Sequence, residues 1–292
     1  MVDESTGRAR VGRAGSDERG TLSWVIDTHC HLTFPEYEGR VDSVLAAARA
    51  NGVFGAISIS TTTGDAVRAL ALARAHPNLW SSAGVHPLYA DRPANWAQMR
   101  EVGLDPKCVA WGELGLDRHH KEPSVELQMS VLEAQLANLA TWRREDPRLD
   151  KPIVVHCRDA FDELVPVLRA SGLAPDRFVF HCFTAGPREM RLLLDFGASV
   201  SFTGVVTFRN AVATHEAARL APIDRVMVET DAPFLTPEPH RTVRPNEPRF
   251  VVHVAHALAD LWSRDRHEVA AVLDANARRF FSIAPDTNGT AP

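Results

Sequence analysis

A chain of 292 residues that is 45% apolar and 24% charged carries enough hydrophobic material for one large core, which excludes a wholly disordered chain and a miniature scaffold held by disulfides. Its formal net charge of −5 supplies no global basic field, so any recognition of phosphate must be local rather than spread over the surface. The length exceeds the common domain of about 100–150 residues but suits an α/β barrel of roughly 250.

Residues 1–23, "MVDESTGRARVGRAGSDERGTLS", are rich in Gly, Arg, Ser and acids and lack an apolar run. They fit neither a secretory signal nor a membrane anchor and are expected to form a disordered tail. The folded unit is expected over residues 24–283, with "APDTNGTAP" at 284–292 as a second loose tail. No stretch approaches the roughly 20 apolar residues of a membrane span. Cys30, Cys108, Cys157 and Cys182 form no C-x-x-C pair and read as reduced thiols of a cytoplasmic protein.

The first β-rich run, "WVIDTHCHL" at 24–32, places two histidines one residue apart. Strand side chains alternate faces, so His29 and His31 point one way and Cys30 the other. Two neutral imidazoles so placed are a chelate for a single metal ion at about 2.0–2.1 Å. "RVDSVLAAARANG" at 40–52 follows with helical spacing, Val41, Val44, Leu45 and Ala48 on one stripe and Gly52 placed to end it.

Next come the runs "VFGAISIST", "LWSSAGVHP" with His86 near its end, and "CVAWGELGLD" with Glu113 and Asp117. "SVELQMSVLEAQLANLATW" at 124–142 reads as a helix capped by Ser124, with Leu127, Val131 and Leu132 on its apolar face. The remaining runs are "PIVVHCRDA" with His156 and Arg158, "RFVFHCFTA" with His181, "ASVSFTGVVTF", and "RVMVETDAPFL" with Glu229 and Asp231.

Eight such runs alternating with helical segments predict an α/β protein with a single-domain (β/α)8 TIM barrel. No Gly-rich phosphate loop follows the first run, which argues against a doubly wound open sheet. Barrel strands converge at their C-terminal ends, where His29, His31, Glu113, His156, His181 and Asp231 would meet in one pocket. Six protein ligands suit two metal ions better than one, because a catalytic zinc takes about three and leaves a position open. Cys30, Cys157 and Cys182 each adjoin a candidate histidine, so alternation is expected to turn them toward the helix layer as small buried hydrophobes.

The motifs "DTHCHL", "GVHP", "GELGLD", "PIVVHCRDA", "FHCFTAG", "SFTGVVTF", "ETDAPFLTP" and "RPNEP", in this order, resemble those of the TatD family of metal-dependent hydrolases, within the wider amidohydrolase-type barrels. The resemblance runs from Val25 to about Phe281. It implies that His29, His31, Glu113 and Asp231 hold one divalent cation, and that Glu113, His156 and His181 hold a second, with the Glu113 carboxylate bridging. It also implies a 3′–5′ exodeoxyribonuclease that attacks DNA phosphodiesters with a water activated by both ions, and a link to DNA repair.

Asp231 can both ligate an ion and accept the proton of that water, which with Glu113 completes the expected catalytic pair. His86 is expected to donate to a phosphate oxygen or to fix Glu113. Arg158, two residues after His156 on the same strand face, is expected to contact phosphate, against the competing role of a salt bridge to Asp159 or Asp162. Imidazoles with carboxylates suit Zn, Mn, Co or Fe better than Mg, although Mg accompanies nuclease activity in the family.

The expected partner is DNA, entering as single-stranded 3′ ends because the acidic chain has no basic stripe for a duplex; no protein partner is readable. The competing activities are hydrolysis of ester or amide bonds, as in D-aminoacyl-tRNA deacylation, and a non-catalytic barrel scaffold. The chain departs from the family at His119 and His120, where an aromatic residue commonly follows "GLD", and at Pro245, which interrupts the usual Arg-Asn-Glu-Pro stretch.

Overall fold

A computed structural model describes residues 24–284; apart from Ala284, the expected tails lie outside the described residues. Eight strands form one parallel sheet in sequential order: β1 Val25–Cys30, β2 Val53–Ser58, β3 Leu79–Ala83, β4 Cys108–Asp117, β5 Ile153–Arg158, β6 Phe178–Phe180, β7 Ser199–Phe202 and β8 Val226–Val228. The helices are α1 Val41–Ala50, α2 Thr63–Ala75, α3 Trp96–Gly103, α4 Val125–Glu145, α5 Phe161–Ala170, α6 Pro187–Phe196, α7 Val212–Leu220, α8 Val251–Trp262 and α9 Arg266–Phe281. The ring closes between β8 and β1 through the Cys30–Ala232 bridge, with the His31 amide on the Ala232 carbonyl and the Asp231 amide on the His29 carbonyl. The architecture is the expected single-domain (β/α)8 TIM barrel.

Two cores follow from strand alternation. Ile26, Ile57, Val109, Val154, Val179 and Met227 fill the barrel interior, which Ala277 and Phe281 of α9 and Ile283 close from below. Leu114, Val155, Phe178, Val200 and Val226 face outward onto the helix layer. Each large apolar side chain so buried contributes about 1.5–3 kcal/mol relative to exposure. Cys30 packs with Leu32, Tyr37 and Val44 beside α1, and Cys157 packs against the outer core. Cys182 departs from the expectation: β6 has already ended, its φ is +48°, and its Sγ lies 3.8 Å from Thr203 Oγ1.

The same alternation carries side chains to the mouth. His156 lies two residues beyond interior Val154, His181 two beyond Val179 and Glu229 two beyond Met227, whereas Asp231 lies past the end of β8 with φ +53°. In β1 and β4 strict alternation from interior Ile26 and Ala110 would turn His29 and Glu113 outward. Register shifts between Asp27 and Cys30 and between Trp111 and Leu114 reverse the faces just before the site, the usual effect of a β-bulge. The second shift requires glycine, because Gly112 has φ +114° and a Cβ there would collide with the Val154 carbonyl oxygen.

On α4, Ser124 accepts from the Leu127 amide as the expected cap. The buried face is Gln128, Leu132, Gln135, Leu136, Leu139 and Trp142, whereas Leu127 is 40% exposed. Two glutamines occupy positions that an apolar-periodicity reading skips, and this shifts the face by one residue.

Candidate metal centre

All six candidate ligands meet at the C-terminal mouth, and they fall into two groups around Glu113. His29 Nε2, His31 Nε2 and Asp231 Oδ1 lie 3.3–3.7 Å from one another, and Glu113 Oε1 is 3.7 Å from both histidine nitrogens. On the other side, His156 Nδ1 and His181 Nε2 are 3.2 Å apart, at 3.5 Å and 2.7 Å from Glu113 Oε2. Donors arranged tetrahedrally at about 2.0–2.2 Å from one ion are separated by about 3.4 Å, which is the spacing of the first group. Among the described residues, three donor triads each fall within 4.8 Å: His29, His31 and Glu113; His86, Glu113 and His156; and His29, His181 and Glu229.

Neighbouring groups fix which nitrogen faces the centre in three of the four rings, whereas His29 Nδ1 is buried without a hydrogen-bond partner among the described residues. His31 Nδ1 is 3.0 Å from the Ile59 carbonyl, His156 Nε2 is 3.1 Å from Asp117 Oδ2, and His181 Nδ1 is 3.3 Å from Glu229 Oε1. Each of these acceptors claims the ring proton, leaving the lone pair of the other nitrogen directed inward, as metal-binding imidazoles require. Glu113 Oε2 is buried and makes no aligned hydrogen bond among the described residues, although His181 Nε2 lies 2.7 Å away. With the ring proton on Nδ1 a lone pair there would meet a carboxylate oxygen, so the contact requires a cation between them, a proton or a metal ion. The residues present therefore fit a divalent metal.

The charges point the same way. Burial alone would raise the Glu113 carboxyl, but His181, His86 and His29 beside it hold it well below the ordinary carboxylate range. Asp231 is likewise lowered, burial being outweighed by the His31 bond and the charges of His29 and His31. Burial disfavours protonated His181, yet Glu113 and Glu229 raise it well above the usual imidazole value. A cluster that draws protons onto its imidazoles draws other cations by the same field.

His86 stands at the rim of this cluster. Its Nδ1 accepts from the Leu88 amide at 2.9 Å, so Nε2 carries the proton, 3.2 Å from His156 Nδ1 and 3.8 Å from Glu113 Oε1. Burial pushes its pKa down to about 3, leaving a neutral donor. Gln135 of α4 grips the Val85 amide and carbonyl at 2.8 and 3.0 Å and fixes the segment that carries His86.

Arg158 is exposed at the end of β5 and makes no ion pair with another described residue. Asp162, its competing partner, binds Arg188 instead. His119 and His120 lie on the surface with their amides on Asp117 Oδ1, and His120 Nδ1 is 3.1 Å from the same oxygen. Arg244 bonds Thr236 Oγ1 and carbonyls of its own loop, away from the cluster. Asn246 is fully buried and ties the Thr230 and Phe234 carbonyls together on either side of Asp231.

Three positioning residues lay outside the expected ligand set. Glu229 holds His181, the Cys182 amide and Ser201, Asp117 holds His156, and Asp27 accepts from the Thr230 amide and hydroxyl and from the His29 amide. Glu229 and Asp117 are marked in the sequence by their place near the ends of their runs, and Asp117 is expected there to orient a ligand or loop; Asp27 carries no such signal.

The family model described as TatD related DNase matches residues 26–282. An uncharacterized metal-dependent hydrolase, YcfH of Escherichia coli K12, is 36% identical over 263 residues, covering 89% of this chain and 96% of that protein. The 3′-5′ ssDNA/RNA exonuclease TatD of Erwinia tasmaniensis is 34% identical over 269 residues, covering 89% of this chain and 100% of that protein. The crystal structure of YjjV, a TatD homologue from E. coli K12, superposes with a TM-score of 0.81 at 28% identity, covering 90% of this chain and 100% of that one.

Proposed function

The chain belongs to the TatD-related family of metal-dependent hydrolases, and on that footing we propose that it is a 3′–5′ exonuclease acting on single-stranded DNA ends with two divalent cations. The observation that carries the reading is the split of Glu113, whose Oε1 faces His29 and His31 while Oε2 faces His156 and His181. One carboxylate serving two donor groups suits the bridging ligand of a two-metal site. The Erwinia relative bears an exonuclease name, which supports the choice of substrate.

In this reading His29, His31, Glu113 and Asp231 hold one ion and Glu113, His156 and His181 the other. Bound divalent ions supply a water of lowered pKa and neutralise charge that develops on the phosphate oxygens. Asp231 accepts the proton of the attacking water: its side chain is 14% exposed against 2% for Glu113, so it is the carboxylate that solvent can reach. His86, neutral and with its proton on Nε2, donates to a phosphate oxygen. Arg158, exposed and without an ion pair among the described residues, steers the phosphate toward the mouth. Asp117, Glu229 and Gln135 keep these groups aimed.

The test is metal-supplemented hydrolysis of 3′-labelled single-stranded DNA, run beside duplex DNA, an aminoacyl-tRNA and simple esters, with Zn, Mn, Co, Fe and Mg compared. Release of the 3′ label first, faster from single strands than from duplex, is the expected result. Early internal cuts, equal rates on duplex, or turnover confined to aminoacyl or simple esters would overturn it.

A further inference from the structure

We propose that Phe234, with Phe34 beside it, forms a stacking platform at the rim of the metal centre that receives an unpaired nucleobase of the substrate's 3′ end. The proposal rests on the exonuclease reading and adds to it a named subsite for the base.

Phe234 is 51% exposed, one of few large apolar side chains left in water among the described residues. Its exposure does not come from a loose loop. The Phe234 amide donates to the Asp231 carbonyl at 2.9 Å, and its carbonyl accepts from buried Asn246, which also holds Thr230. The chain is thus fixed on both sides of the ring, three residues beyond the proposed proton acceptor.

The ring belongs to a set that leads into the site. Phe34 stacks on His31 at 4.7 Å between centroids and 17° between planes. Phe234 stands edge-on to Phe34 at 6.3 Å and 79°, and to His31 at 6.4 Å and 66°. One face of Phe34 is therefore covered by a candidate metal ligand, while Phe234 offers a partly bare ring across the corner. A phosphodiester held at His31 and Asp231 carries its base one sugar away, and a flat apolar ring pinned at that remove matches a planar aromatic ligand. Stacking on a side-chain ring is indifferent to base identity, which suits an enzyme that must process any sequence. A base inside a duplex has both faces covered, and a terminal paired base is held in the plane and position of its partner strand, so a ring fixed at the rim of a concave site favours frayed or single-stranded ends that can turn to meet it.

The test uses the full chain loaded with divalent metal. Single-stranded oligonucleotides ending in ordinary nucleotides are compared with identical ones lacking the base at the terminal or penultimate sugar. Affinity is also measured with cleavage-resistant phosphorothioate versions. For the wild type the expected KM is about tenfold or more lower for the base-bearing substrate, the scale of stacking on one ring. Phe234→Leu should collapse that difference and weaken phosphorothioate binding by a similar factor, while Phe234→Trp should preserve both. Melting temperatures within a degree or so of the wild type should accompany both surface substitutions. Wild type that cleaves oligonucleotides but ignores the missing base, or a Phe234→Leu variant that keeps the discrimination, overturns the platform and leaves the nuclease reading standing. Wild type that cleaves no oligonucleotide overturns both.

Discussion

Asp117 and Glu229 touch no substrate in this reading, yet they decide which nitrogen of His156 and His181 faces the centre. An amide in place of the Asp117 carboxylate can present its NH2 to His156 Nε2, which frees the ring to place its proton on Nδ1. Asp117→Asn should therefore weaken metal binding by about 10–100-fold, the usual effect of losing a carboxylate behind a ligating histidine, with the fold intact by circular dichroism. Glu113→Gln should do more, because a neutral amide cannot serve two cations: metal retained after dialysis should fall and activity should drop beyond 100-fold even at saturating metal. Metal content by elemental analysis, read beside turnover, separates the two. Near-normal activity in Glu113→Gln at high metal would remove the bridging role.

Packing between α8 and the loop after β8 brings histidines together for a different reason. His253 of α8 lies with His240 and Phe250 and near His256. Burial first, then the charges of His240, His256 and Arg266, push its pKa down from 6.5 to about 4. The folded state thus prefers neutral His253 while the unfolded chain protonates near pH 6.5, so its contribution is complete above that pH and is lost as pH falls toward 4. At most about 3 kcal/mol is at stake. Denaturant melts of metal-free protein between pH 7 and 4.5 should show a shallower loss in His253→Gln than in wild type; identical slopes would assign the acid sensitivity to the mouth. At this same scale the sequence was only partly legible. Eight β-rich apolar runs exposed the strands, and His, Glu or Asp near the ends of six of them exposed the mouth with its six candidate ligands, since alternation is local. The shifts before His29 and Glu113 were hidden, because a bulge alters which face a residue takes without altering the run, and only the tertiary approach of Val154 shows why Gly112 is needed. Gln128 and Gln135 were hidden because polar residues on a helix read as solvent-facing, whereas these two satisfy the backbone of Asp117 and Val85.

Taken as a whole, the barrel carries its two apolar cores apart from the mouth, so chelation should leave it folded but less stable. A metal present at about 100 times its dissociation constant adds about 2.7 kcal/mol, which for a domain of this size shifts Tm by roughly 5 °C or more. Scanning fluorimetry with chelator, followed by readdition of each divalent ion, should restore the shift; a Tm indifferent to metal would mean that the cluster binds none tightly. The closure of the ring between β8 and β1 reaches further, into the making of the protein. His29 and His31 lie near the start of the chain, while the groups that lock β1 in place are separated from it by 200 residues and more, as in the Thr28–Val228 and Asp27–Thr230 bonds. At about 5–20 residues per second on the ribosome, the paired histidines wait some 10–40 s for Asp231 to be synthesised. During that interval they are a bare chelate on a nascent strand with no mouth around it. Completion of the proposed metal site therefore waits for the last strand, and a chain that stops anywhere before Asp231 lacks both the closure of the ring and one of the six candidate ligands.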